Sequence, residues 1–136
     1  MVFCSKSLRA SAASATAVAL DLAAILERGY ADSIGGYYDT ALPSPLGTAS
    51  ASNAALAATP ATMPLADRTK HFLDDVLPGP NAAAARFLLH LAAVTGDATY
   101  RRRAQATVEA FAGSVSGAGI RASTLLSVAW ESAGAP

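Results

Sequence analysis

The chain has one cysteine, one tryptophan, two histidines and no net charge. Each shortage narrows what it can be. Cys4 stands alone, which excludes an intramolecular disulfide and any cysteine-based metal cluster. So sparse a use of thiols fits a reducing compartment, and a cytoplasmic location is expected. His71 and His90 belong to no His-x-x-x-His or Glu-x-x-His pair, so neither a metal nor another cofactor is expected. Ten basic side chains balance ten acidic ones and the isoelectric point is 6.7, which leaves no electrostatic footprint for nucleic acid or anionic lipid. The one basic run, Arg101-Arg102-Arg103, reads as a solvated helix face. No uncharged apolar run approaches the ~20 residues that span a bilayer, so a membrane is not an expected partner.

What is present in quantity is alanine, 34 of the 136 residues. The hydrophobic content of 52% therefore overstates the core, because an alanine side chain buries little area. Alanine loses no rotamer freedom in a helix and is the best helix former. Strand-favouring β-branched residues are few and scattered. The composition predicts an all-α chain with a thin core, one domain's worth of material.

The first 20 residues carry Lys6 and Arg9, many Ser and Ala, and no acid before Asp21. That composition also fits an organellar transit peptide, the alternative to a cytoplasmic location. Residues 1–16 are read as an N-terminal extension and 17–136 as the helical part. Between Ala12 and Arg28 the larger apolar residues Val18, Leu22, Ile25 and Leu26 fall on one helical stripe, with Gly29 as a left-handed stop. The paired glycines of Asp32-Ser33-Ile34-Gly35-Gly36-Tyr37-Tyr38-Asp39-Thr40 predict a constrained loop. Residues 41–64 are Ala, Ser, Thr and Pro with few anchoring side chains, and are read as a flexible insertion. Periodicity alone leaves 65–80 ambiguous, with Leu65, Phe72, Leu73 and Val76 on a short stripe ended by Pro78 and Pro80.

Asn81 stands where an N-cap belongs, ahead of four alanines and the buried face Phe87, Leu88, Leu91 and Val94. Gly96 then stops one helix and Asp97 caps the next, whose stripe is Tyr100, Ala104, Val108 and Phe111 up to Gly113. So short a turn makes the two an αα-hairpin. A last helix is predicted from about Ala122 to Ser132, with Leu125, Leu126, Val128 and Ala129. The chain thus reads as about four helices and no convincing strand.

Single-site chemistry is weakly signalled. Gly35-Gly36 lacks the Lys-Ser/Thr of a phosphate loop, and Ser33 and Ser44 lack a nucleophile-elbow pattern. Asp32, Asp39, Asp74 and Asp75 could act as paired acids on a sugar or as caps and surface acids. The order of the loop motifs is more specific: Gly35-Gly36-Tyr37-Tyr38-Asp39-Thr40, Arg68-x-Lys70-x-x-x-Asp74, Pro78-x-x-Asn81, Leu88-x-x-Leu91, and Thr95-Gly96-Asp97-x-x-Tyr100. This series resembles the C-terminal region of the thioredoxin-domain proteins related to spermatogenesis-associated protein 20 and its bacterial counterparts. It spans roughly residues 17–133, apart from 41–64.

The resemblance implies a partial (α/α) six-hairpin toroid, similar to N-acylglucosamine 2-epimerases and glycosidases. It also implies that 65–77 is an extended crossing rather than a helix. Two departures stand out: Gly79-Pro80 precedes Asn81 where the family commonly has Pro-Ser, and Thr69 replaces a common proline. The paired cysteines of the thioredoxin domain and most of the toroid are not in this sequence.

By the same analogy Tyr37, Tyr38, Asp39, Arg68, Lys70, Asp74 and Asn81 would be substrate-binding. A tyrosine ring offers a sugar a stacking face, and Asp39 and Asn81 offer orienting hydrogen bonds. Arg68 and Lys70 could hold an anionic group. The competing reading makes the glycines a turn, Asp39 a cap and Asn81 a helix start. Two functions follow as expectations. One is a toroid fragment related to carbohydrate-processing folds, with a sugar-like ligand and no independent catalysis. The other is a helical interaction piece that self-associates or pairs with a missing N-terminal portion, because a truncated toroid leaves helix faces uncovered.

Overall fold

A computed structural model describes residues 3–41 and 68–134, with side chains from residue 12 onward. The described residues are all-α, with no strand and a single isolated bridge between Ala31 and Tyr37. Four helices run in order: α1 Phe3–Gly29, α2 Pro80–Thr95, α3 Ala98–Ala118 and α4 Ser123–Ser132. A 3₁₀ turn, Gly119–Ala122, joins the last two. Residues 68–79 form no helix; of the extended crossing expected at 65–77, residues 65–67 lie outside the described residues. The insertion expected at 41–64 lies outside the described residues beyond Ala41. Among the described residues no helix is long and apolar enough to cross a membrane.

Local chemistry accounts for most helix ends. Gly96 is left-handed (φ 75°) and its N–H returns to Ala92 O at 2.9 Å. Asp97 caps α3, its carboxylate accepting from Thr99 N at 2.8 Å. The remaining ends correct the sequence reading. Gly29 is the last residue of α1 and has no positive φ. α2 starts two residues earlier than expected, with Gly79 at the N-cap and Pro80 in the first turn, where its fixed φ suits a helix. Asn81 does not cap, because its side chain is drawn into the loops described below. α3 passes Gly113, which has no positive φ, and ends at Gly119, which does (φ 58°).

The core lies around α2. Ala82, Ala85 and Leu88 are fully buried, facing Ala104, Leu125 and Val128 of the following helices. Small residues at these contacts allow close helix approach, which is how so alanine-rich a chain packs. Phe72 of the connector stacks on Phe111 of α3 with ring centroids 4.9 Å apart.

α1 departs from expectation. Its apolar stripe does not face the core: Val18, Leu22 and Ile25 are 56%, 53% and 52% exposed, and only Leu26 packs inward. The buried position is Ala23. Helix rotation is set by Glu27, which accepts a hydrogen bond from the Tyr37 hydroxyl at 2.7 Å and pairs with Arg103 of α3. Those bonds turn the Ala23–Glu27 edge inward and leave the stripe at the surface. Val94 and Leu126, also expected in the core, are exposed.

Candidate functional site

The expected binding residues other than Asp74 gather where the glycine loop, the connector and the start of α2 meet. Gly35 (φ 115°) and Gly36 (φ 78°) let the loop fold back, with Asp32 N donating to Gly36 O at 3.0 Å. The loop lies so close to α3 that a Cβ at Gly35 would fall 2.5 Å from the Ala106 carbonyl oxygen. Tyr38 N then bonds Tyr30 O at 2.9 Å and closes the loop against the end of α1.

Asn81 ties three segments together. Its Oδ1 accepts from Tyr37 N at 2.7 Å, and its Nδ2 donates to Tyr37 O at 2.9 Å and to His71 O at 2.7 Å. The residue is 1% exposed and its hydrogen-bonding capacity is spent inside the chain. Tyr37 is buried as well and packs in the core. Burial pushes its phenol up to about 12, which keeps it a neutral donor to Glu27.

The other expected residues bind the connector to the loop. Arg68 lies 4.1 Å above the Tyr38 ring and donates to Thr40 O at 2.6 Å and Gly29 O at 3.2 Å. Lys70 pairs with Asp32 and donates to Gly35 O at 3.1 Å. That Lys70 bond lowers the Asp32 carboxyl below its ordinary value. Asp39 accepts from the Thr69 hydroxyl at 2.7 Å and from His71 N at 3.2 Å.

Asp74 sits apart, at the far end of the connector. Its Oδ2 accepts from Thr124 N at 2.8 Å and from the Ser123 hydroxyl at 3.0 Å, while Oδ1 accepts from Gly79 N at 2.8 Å. It therefore caps α4 from 50 residues away, replacing the cap that Ala122 cannot supply.

The Asp74 contacts have a testable consequence. The N–H groups of Thr124 and Gly79 hold the carboxyl down to about 2 from an ordinary 3.8. A depressed folded value stabilises the fold above about 3.8, and that stabilisation is lost as pH falls through about 2. Asp74→Asn should therefore cost stability at pH 5 to 7 and flatten the acid limb of a urea-midpoint profile. An unchanged limb would remove Asp74 as the cap of α4.

Glu27 and Arg103 were missed by sequence reasoning. Their signal was present but faint: Glu27 follows Ala23 by one helical turn, and Arg103 hid within a run of three arginines. With Asp32, Tyr37 and Thr107 they line a cleft of about 270 Å³ beside the glycine loop. Asp32 is held low by Lys70 and Tyr37 is held high by burial, so neither is tuned near pH 7, where a general acid or base works best. Among the described residues no group of three His, Cys, Asp or Glu side chains could hold a metal.

The site is thus a structural clamp: a connector held between the glycine loop and the start of α2, with contacts to α1 and α3. No protein-family model, curated protein or solved structure matches the chain.

Proposed function

We propose that this chain works by association, as a helical-hairpin piece that packs on another helical surface and does no chemistry alone. The architecture assigned is part of an (α/α) toroid of the kind that follows the thioredoxin domain in proteins related to spermatogenesis-associated protein 20. The antiparallel α2–α3 hairpin and the helix-free connector are consistent with that architecture. One observation carries the functional reading. The large side chains of α1 form an apolar face beside α2 that is uncovered among the described residues, with a groove of about 400 Å³ lined by Leu22, Ile25, Leu26, Tyr30 and Phe87 among others. A second apolar groove continues it toward Val94. The expected sugar-binding side chains, in contrast, contact other groups of the chain: Asn81, Arg68 and Asp74 bond backbone, Tyr37 bonds Glu27, Lys70 pairs with Asp32, Asp39 accepts from Thr69, and Tyr38 lies under Arg68.

Two measurements test this. Titration with amino sugars and oligosaccharides should give no heat of binding. The wild type should bind a hydrophobic dye that the triple variant Val18→Ser, Leu22→Ser, Ile25→Ser does not, with unchanged helix content, because those side chains are already exposed. A wild type that binds sugar, or that shows no dye-binding face, sinks the proposal.

A further inference from the structure

We infer that the partner for the α1 face is a second copy of this chain, with the two α1 helices packed antiparallel. The inference rests on the association reading above and adds the identity and register of the partner. Val18, Leu22, Ile25 and Gly29 are spaced 4, 3 and 4 apart, the alternation of a two-helix seam. The three large ones are more than half exposed.

Charge selects the direction. Asp21 and Arg28 stand one position before Leu22 and Gly29, seven residues apart, on the same edge of the seam, and both are exposed. In an antiparallel pair that edge meets the same edge of the partner helix. Leu22 then lies opposite the partner's Ile25, and Asp21 comes within reach of the partner's Arg28, twice over by symmetry. In a parallel pair the same edge would meet the edge carrying Ala19 and Leu26, and no opposite charges would pair. Arg28 uses Nε on Ala24 O within its own helix, which leaves its terminal NH2 groups for a partner. A second α1 laid along this seam also covers the neighbouring groove lined by Leu22, Ile25 and Phe87.

Sedimentation equilibrium on the full chain tests the pairing. The wild type should be a dimer. Asp21→Arg turns two attractive contacts into two repulsive ones and should weaken the dimer on the order of tenfold, while Asp21→Arg with Arg28→Asp should restore it. The single variant should lose its effect in high salt, where exposed charges are screened. A dimer indifferent to Asp21→Arg, an assembly larger than a dimer, or a monomer that still binds hydrophobic dye overturns the pairing and leaves association with a different protein standing. A monomer that binds no dye overturns both.

Discussion

Asn81→Leu is expected to destabilise the fold by about 3–5 kcal/mol, read as a fall in the urea midpoint with little change in slope. Leucine keeps the branched heavy-atom skeleton of asparagine and is bulkier, so no cavity is left and any packing cost is one of crowding. It comes from groups left without partners. The N–H and C=O of Tyr37 each lose the bond Asn81 supplies, in a place with 1% exposure where water cannot replace it. The His71 carbonyl keeps only the longer 3.3 Å contact from Asn81 N. Two orphaned buried groups at about 1–3 kcal/mol each span about 2–6 kcal/mol, and the stated range is the middle of that span. The connector should loosen first, so amide exchange should accelerate at Tyr37 before it does in the middle of α2. A loss under about 1 kcal/mol would show that the clamp does not hold the fold together.

Gly79→Ala is expected to cost at least about 3 kcal/mol, for a reason unrelated to backbone freedom. Gly79 has φ −53° and ψ 134°, a conformation open to any residue. The obstacle is space. A Cβ there would overlap the Phe72 carbonyl carbon and oxygen and crowd the Leu73 carbonyl oxygen at 3.1 Å. These are backbone atoms, and Phe72 is anchored by its stack on Phe111, so the connector would have to leave the start of α2. Gly96→Ala makes the comparison. Gly96 has open space around it but a φ of 75°, so it should lose only about 1 kcal/mol, the ordinary strain of a left-handed alanine. Thermal melts of the two variants separate steric from conformational cost, and equal losses would refute the close-contact account.

These two positions also show how far the site could be read beforehand. Most of the residues singled out for their order along the chain lie together in the clamp, while Asp74 stands apart at α4. Their roles were not legible, because an asparagine that caps a helix and one that bridges distant backbone groups look alike in sequence. Asn81 was expected to start α2 through its own neighbours. Instead it bonds Tyr37, 44 residues earlier, and Pro80 takes over the first turn. Asp74 is a similar case, a carboxylate whose partners lie at Thr124 and Ser123. Glu27 went unnoticed because its partners, Tyr37 and Arg103, lie on other elements.

The features the sequence determined by itself are local. Alanine content and scarce β-branched residues specify helix, and Thr95-Gly96-Asp97 specifies the α2–α3 turn, since each residue acts on backbone groups within a few positions of itself. Tertiary structure decided the rest. Periodicity places Val18, Leu22 and Ile25 on one side of α1 but carries no information on which way that side turns. Glu27 turned it outward by pairing across to Arg103 and Tyr37, and so made an expected core stripe into an exposed face. A helix can meet its own spacing rule in any rotation, and only contacts with other elements choose among them.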